Sequence, residues 1–203
     1  MARRNAARIS AGRSARHGAD PAPGGERASL EPSDVPDDPH ARARQICLRL
    51  LTTKARTRAE LARALTRRGI DDEAAEDVLC RFSEVGLIDD VAFAQSYVHS
   101  GHTYRGLGRR ALAAQLHRRG VDAETTGEAV AAVDGPAEEE MARTLVRRGL
   151  AGAGGSDEVA TIRKLVGMLA RRGYPEGLSY RVVRDELRAA GRDTTALDGL
   201  SLD

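Results

Sequence analysis

Apolar residues recur along most of the chain at spacings of three and four, which is the spacing of one face of an α-helix. The pattern begins near Ala41 and continues to Leu187. No stretch alternates apolar and polar residues with the β-branched enrichment that is typical of a strand. The pattern therefore predicts an all-α fold.

The helical pattern occurs in three copies. A gapless offset of 51 residues superimposes the series that starts at Leu61 on the series that starts at Leu112, and a further offset of 53 reaches Leu165. The first two series are Leu61, Leu65, Gly69, Ile70 and Leu79, and Leu112, Leu116, Gly120, Val121 and Val130. A repeated unit with one apolar face buries that face against its neighbours. We expect three tandem three-helix repeats that form an elongated, curved array.

Composition and turn residues divide the chain into five segments. Residues 1–39 contain five of the seven prolines and few large apolar residues, so they are expected to form a disordered tail, Arg-rich and then acidic. The predicted repeats span 40–89, 90–135 and 136–191, with a Gly-rich loop at 151–155 in the third, and residues 192–203 are a frayed tail.

Capping residues and glycines predict where individual helices begin and end. Thr57 and Glu60 have the spacing of a capping box, which places the start of a second helix there and its stop at Gly69. In the second copy, the first helix is expected to break between Gly101 and Gly106.

Two cysteines, Cys47 and Cys80, occupy apolar-periodic positions without the spacing of a metal site, which favours reduced and buried thiols. No apolar stretch approaches the ~18 residues of a membrane span, and the N-terminus lacks the apolar region of a signal peptide. We expect a cytoplasmic protein without a cofactor or a bound metal.

Charge is nearly balanced overall, with 32 Lys and Arg against 30 Asp and Glu, but it is unevenly distributed. No acidic residue lies between Asp90 and Asp122. The same interval contains Arg105, Arg109, Arg110, Arg118 and Arg119, with Tyr104 as a possible stacking surface. This interval predicts a positive surface for nucleic acid or a nucleoprotein filament, and a solvated helix face is the alternative.

An Arg-Arg-Gly triplet ends the second helix of every copy. The pairs are Arg67 and Arg68, Arg118 and Arg119, and Arg171 and Arg172. Cations at a helix C-terminus interact favourably with the helix dipole, for about 0.3–1 kcal/mol each. The pairs are therefore either structural or, if the repeats stack, a line of positive charge along the array.

Catalysis is not expected, because the histidines lack partners for a triad and the glycines match no phosphate-binding loop. Sequence-specific DNA reading by a helix-turn-helix is an alternative function. The third helices of the first two copies are acidic and would repel phosphate. The third copy, whose last helix has Arg181, Arg184 and Arg188, is the better candidate for that function.

Several motifs resemble the RecX family over about 150 residues. They are Glu60-Leu61 through Arg67-Arg68-Gly69, Gly86-Leu87-Ile88-Asp89-Asp90 followed by Phe93-Ala94, Tyr104-Arg105-Gly106, and Leu116 through Gly120, with Gly173 at the matching position of the third copy. Asp89 or Asp90 is expected to cap a helix, and Phe93 to pack across the junction between the first two copies.

The resemblance implies a non-enzymatic, monomeric regulator of the RecA recombinase. It implies binding to the RecA filament, with weak and salt-sensitive binding to DNA, and restraint of strand exchange and of co-protease activity. The basic residues named above are the expected contacts.

Overall fold

The structure is a computed structural model that describes residues 38–152 and 158–192. Within these ranges the chain forms α-helices and no strands, as the sequence predicted. The helices are α1 (Pro39–Thr53), α2 (Arg58–Thr66), α3 (Asp72–Glu84), α4 (Asp90–Thr103), α5 (Arg109–Arg119), α6 (Ala123–Ala131), α7 (Gly135–Ala151), α8 (Glu158–Arg171) and α9 (Glu176–Ala189). Most of the predicted tails, and residues 153–155 of the predicted loop, lie outside the described residues.

The helices pack in three consecutive groups of three, each around its own apolar core. Leu61, Leu65 and Leu79 are at the centre of the first core. Leu112 and Leu116 occupy the matching positions in the second core. The predicted three-helix repeats are therefore present, and each buries its own narrow apolar face.

Short polar side chains start most of the helices. The N-cap side chain accepts a backbone N–H of the first turn at Asp38, Thr57, Asp71, Asp89, Asp122 and Asp134. An N-cap of this kind stabilises a helix by about 1 kcal/mol. Of the two candidates for the α4 cap, Asp89 is the residue that caps it.

Three helix boundaries differ from the predicted ones. α4 ends at Thr103, inside the predicted break of Gly101 to Gly106, but Gly101 itself is helical and buried, where a Cβ would lie 2.5 Å from the Leu112 side chain. Its glycine is thus required by close packing and does not end the helix. α7 includes Ala151, which was assigned to the loop, and α1 starts at Pro39, which was assigned to the tail.

The prediction that both cysteines are buried is wrong for Cys80. Cys47 lies in the first core, where burial raises the pKa of its thiol to about 11. Cys80 is exposed on α3. Its Sγ lies 3.4 Å from Glu76 Oε1, and the periodic pattern did not distinguish this flank from the core face.

None of the helices in the described ranges combines the length and the apolar composition that crossing a membrane requires.

Candidate functional site

The C-terminus of α5 packs on the N-terminus of α2 and joins the second repeat to the first. The Thr57 hydroxyl donates to the Arg119 carbonyl at 2.8 Å. Gly120 has φ +88°, and a Cβ there would lie 2.3 Å from the Ala59 Cβ, so only glycine permits this approach. Arg119 Nη1 donates to Glu60 Oε1 at 2.7 Å, which adds a partly buried ion pair to the junction.

This junction corrects half of the predicted capping box. Thr57 does accept the Glu60 backbone N–H, at 3.1 Å, but the Glu60 side chain pairs with Arg119 and not with the N-cap. A carboxylate of the next repeat completes the cap, because the Arg58 N–H donates to Asp90 Oδ1 at 2.9 Å. Burial raises the pKa of Asp90 and outweighs the opposite effect of that hydrogen bond.

An equivalent junction joins the third repeat to the second. The Gly108 N–H donates to the Arg172 carbonyl at 2.9 Å. A Cβ at Gly173 would lie 2.3 Å from the backbone nitrogen of Ala111, so glycine is again required. The C-terminus of α8 therefore meets the N-terminus of α5, just as the C-terminus of α5 meets that of α2.

A carboxylate from the following repeat completes this second cap as well. The Arg109 N–H donates to Glu138 Oε1 at 2.8 Å, and Glu138 is buried. Glu138 is a part of the array that the sequence analysis missed, and Asp90 was expected there only as a candidate cap of its own helix. A signal was available, since both residues lie in the first turn of the first helix of their repeat.

The junctions divide the predicted arginine pairs into two kinds. Arg119 is paired with Glu60, and its guanidinium lies 4.8 Å from the Tyr97 ring centroid and 5.6 Å from that of Phe93. Phe93 also packs against the second core, so these contacts lie within the second repeat, and its packing across the junction stays a prediction. Arg172 donates to the carbonyls of Arg105 and Gly106 in the loop before α5. The second arginines of these two pairs are structural.

Seven of the predicted arginines are exposed on the protein surface. Arg105 is one of them but contacts the Tyr97 ring, and we call the other six the exposed arginines. They are Arg67, Arg68, Arg109, Arg110, Arg118 and Arg171. Four of them lie on α5 or at the end of α8 beside it. A groove of about 600 Å³ between α5 and the third repeat has Arg110 and Arg171 on its walls together with Glu176, so residues from two repeats form one groove with a net positive charge, which we call the basic groove.

Arg110 and Arg118 are eight residues apart on α5. That separation is about 12 Å along the helix axis and within about a quarter turn around it. Arg67 and Arg68 lie at the other end of α2 from the first junction, about 13 Å further along for a helix of 9 residues. The structure therefore presents guanidinium groups at intervals along consecutive second helices.

Tyr104 and Arg105 are adjacent in the loop before α5, but their side chains have different surroundings. Tyr104 is 79% exposed, more than the other exposed large hydrophobic residues in the described ranges, and His99 packs edge-on against its ring. Arg105 instead turns toward Tyr97, with its guanidinium 4.7 Å from that ring centroid. Burial raises the pKa of Tyr97, but hydrogen bonds with Arg105 and Arg119 lower it to below the usual range.

The histidines of this region take part in local contacts. His102 Nδ1 lies 3.1 Å from the Leu107 carbonyl oxygen. Across residues 38–152 and 158–192, no three His, Cys, Asp or Glu side chains are grouped so that they could hold a metal ion.

The last helix of the third repeat offers little free charge for reading DNA. Arg181 donates to Glu139 Oε2 at 2.8 Å, and Asp185 on the same helix accepts from Arg143 at 3.2 Å. Arg184 is half-buried. These contacts bind α9 to α7 and disfavour a helix-turn-helix that reads bases with this helix.

Known proteins are similar to this chain in sequence. A family model described as RecX, first three-helix domain, matches residues 43–82, and one described as RecX, second three-helix domain, matches residues 89–130. Regulatory protein RecX of Thermobifida fusca is 54% identical over 174 residues, which cover 86% of this chain and 90% of that protein. This chain belongs to the RecX family.

Further relatives agree with this assignment. Regulatory protein RecX of Amycolatopsis mediterranei is 44% identical over 175 residues, covering 86% of this chain and 100% of the relative. A crystal structure of RecX from Lactobacillus salivarius superimposes with a TM-score of 0.66 at 18% identity, over 73% of this chain and 97% of the other. That superposition establishes the shared fold.

The two RecX domain matches include both sides of the first junction and most of the exposed arginines. Arg171, across the second junction, lies outside the matched ranges. The basic groove therefore combines one wall from the second RecX domain with one wall from the third repeat.

Proposed function

We propose that this chain is a non-enzymatic modulator of RecA that binds the RecA–DNA filament and restrains strand exchange and co-protease activity. Membership of the RecX family supports RecA as the partner. The observation that carries the proposed contact is the set of exposed arginines, which follows consecutive second helices. Three of them, Arg109, Arg110 and Arg118, lie in the interval between Asp90 and Asp122, which contains no acidic residue. A repeating row of guanidinium groups suits a partner that itself repeats, and phosphates attract such a surface.

The two kinds of arginine have different roles in this proposal. Arg119 and Arg172 hold the repeats together, whereas Arg110, Arg118 and Arg171 are available to the partner. Tyr104 adds an exposed ring beside this surface. We expect the protein to act as a monomer in the cytoplasm, with weak binding to bare DNA.

Cosedimentation with preassembled RecA filaments, and separately with bare DNA, tests this function over a series of salt concentrations. We expect tighter binding to filaments than to DNA. Replacing Arg110 and Arg171 with alanine should lower the log–log salt slope by about 1 to 2, because each phosphate contact contributes about 0.7–0.9. Equal binding to filaments and to bare DNA would refute the filament as the target, and an unchanged slope would refute these two contacts.

A further inference from the structure

A second groove, on the outer side of the first junction, is apolar and has no part in the proposed basic contact. Its volume is about 400 Å³. One face of α4 forms its floor, and Leu51, Arg56 and Leu87 form its walls. Leu87 is 48% exposed, so its aliphatic side chain is accessible at the wall of the groove.

The α4 face in this groove has small residues at helical spacing. Ala92, Ser96 and Ser100 are four residues apart, and Phe93 and Tyr97 stack beside them with ring centroids 5.9 Å apart. A row of small side chains between larger ones is a surface on which the ridge of a second helix packs closely. The shape thus suits an amphipathic helix that lays its apolar side into a groove.

Arg56 gives the groove its charge preference. Its side chain is partly exposed and lines the groove, and no residue of the described ranges accepts a hydrogen bond from its Nε atom. The Asp89 carboxylate at the end of the groove is engaged in capping α4 through the Ala92 N–H at 2.8 Å. A partly exposed guanidinium beside an apolar groove favours an acidic group on the segment that binds there, because a carboxylate is the acceptor that matches a guanidinium best.

The second junction shows that the repeat fold does not need an arginine here. The offset of 51 residues places Leu107 at the position of Arg56. Leu107 packs against the second core as an ordinary apolar side chain. The arginine of the first junction is therefore available for a role that the packing of the repeats does not explain.

From these observations we infer that the groove over Ala92, Ser96 and Arg56 receives an amphipathic helical segment of RecA that carries a carboxylate beside its apolar residues. This inference rests on the proposed function, because it takes RecA as the partner. It adds a second, largely apolar contact to the electrostatic one made by the exposed arginines. The two contacts differ in chemistry, so salt should weaken the electrostatic contact much more than the apolar one.

Two substitutions on neighbouring positions of α4 test the groove. Ser96→Arg places a long side chain in its floor, whereas Gln95→Arg adds the same charge at an exposed position outside the groove. In cosedimentation with preassembled RecA filaments, we expect Ser96→Arg to weaken binding about tenfold or more and Gln95→Arg to leave it unchanged or slightly stronger. Arg56→Leu, which introduces the residue of the second junction, should keep the melting temperature and also weaken binding about tenfold.

A photo-crosslinking residue at position 87, on the rim of the groove, identifies the occupant. We expect an adduct with a RecA peptide that contains Asp or Glu among apolar residues. An adduct within this chain or with a second copy of it would overturn the inference, as would normal binding of Ser96→Arg. Absence of wild-type binding to filaments would overturn the proposed function as well, whereas binding without these effects overturns the groove alone.

Discussion

Replacing Arg119 with alanine should destabilise the protein, whereas replacing the adjacent Arg118 should not. The Arg119 guanidinium donates to Glu60 at 2.7 Å and lies over the rings of Phe93 and Tyr97. A hydrogen bond between charged groups is worth about 1.5–3 kcal/mol, and a cation–π contact at a partly exposed site about 0.5–1 kcal/mol. Because 32% of the Arg119 side chain is exposed, we take the lower part of the summed range, about 2–3 kcal/mol.

Thermal unfolding followed by circular dichroism measures this difference. At about 2–4 °C per kcal/mol for a chain of this size, the Arg119→Ala variant should melt about 4–12 °C below the wild type. The Arg118→Ala variant should stay within about 0.5 kcal/mol of the wild type, as for an ordinary surface position. In a double-mutant cycle, Glu60→Gln should remove most of the effect of Arg119→Ala. Equal melting temperatures for the two alanine variants would refute the assignment of Arg119 to the junction.

Two further predictions concern packing and pH. The Gly173→Ala variant should melt well below the Gly69→Ala variant. Both glycines have positive φ, but only Gly173 lies against a backbone, that of Ala111. Comparable losses of melting temperature in thermal denaturation would argue against this close approach. The third repeat should lose stability as acid protonates Glu186, whose pKa burial raises but hydrogen bonds with Arg147 and Arg143 lower below the usual range. A carboxylate whose pKa is lowered in the folded state stabilises the protein at pH values above its pKa in the unfolded chain, about 4.3. That stabilisation is lost as the pH falls through its pKa in the folded state. Urea unfolding of Glu186→Gln should accordingly show a weaker pH dependence below pH about 4.5 than the wild type, and an identical pH dependence would count against this pairing.

Local rules were sufficient to predict the repeats. The Thr57 cap depends on residues within one turn, and the core positions of Leu61 and Leu112 depend on helical periodicity alone. Tandem repetition strengthened these predictions, because the same signals recurred at constant offsets. The failure at Gly101 has a tertiary cause, since a glycine that stops a helix and one that permits close packing look alike in sequence.

The division of the arginine pairs could not be predicted in this way. Arg118 and Arg119 are adjacent in the same motif, and only the contact with Glu60, 59 residues away, distinguishes them. Similarly, the Arg58 cap comes from Asp90 in the next repeat. Contacts between repeats depend on which helix end faces which, and the periodic pattern carries no information about that.

We propose that exposed arginines of the middle repeat, and not those of the junctions, act on RecA. RecA-driven strand exchange with a variant carrying Arg109→Glu, Arg110→Glu and Arg118→Glu tests it most directly, because Arg119 and its junction remain intact. A matched control reverses Arg42, Arg44 and Arg49, which are exposed on α1.

We predict that the wild type and the α1 variant inhibit strand exchange, and that the middle-repeat variant does not inhibit it although its melting temperature is close to that of the wild type. Full inhibition by the middle-repeat variant would contradict the claim.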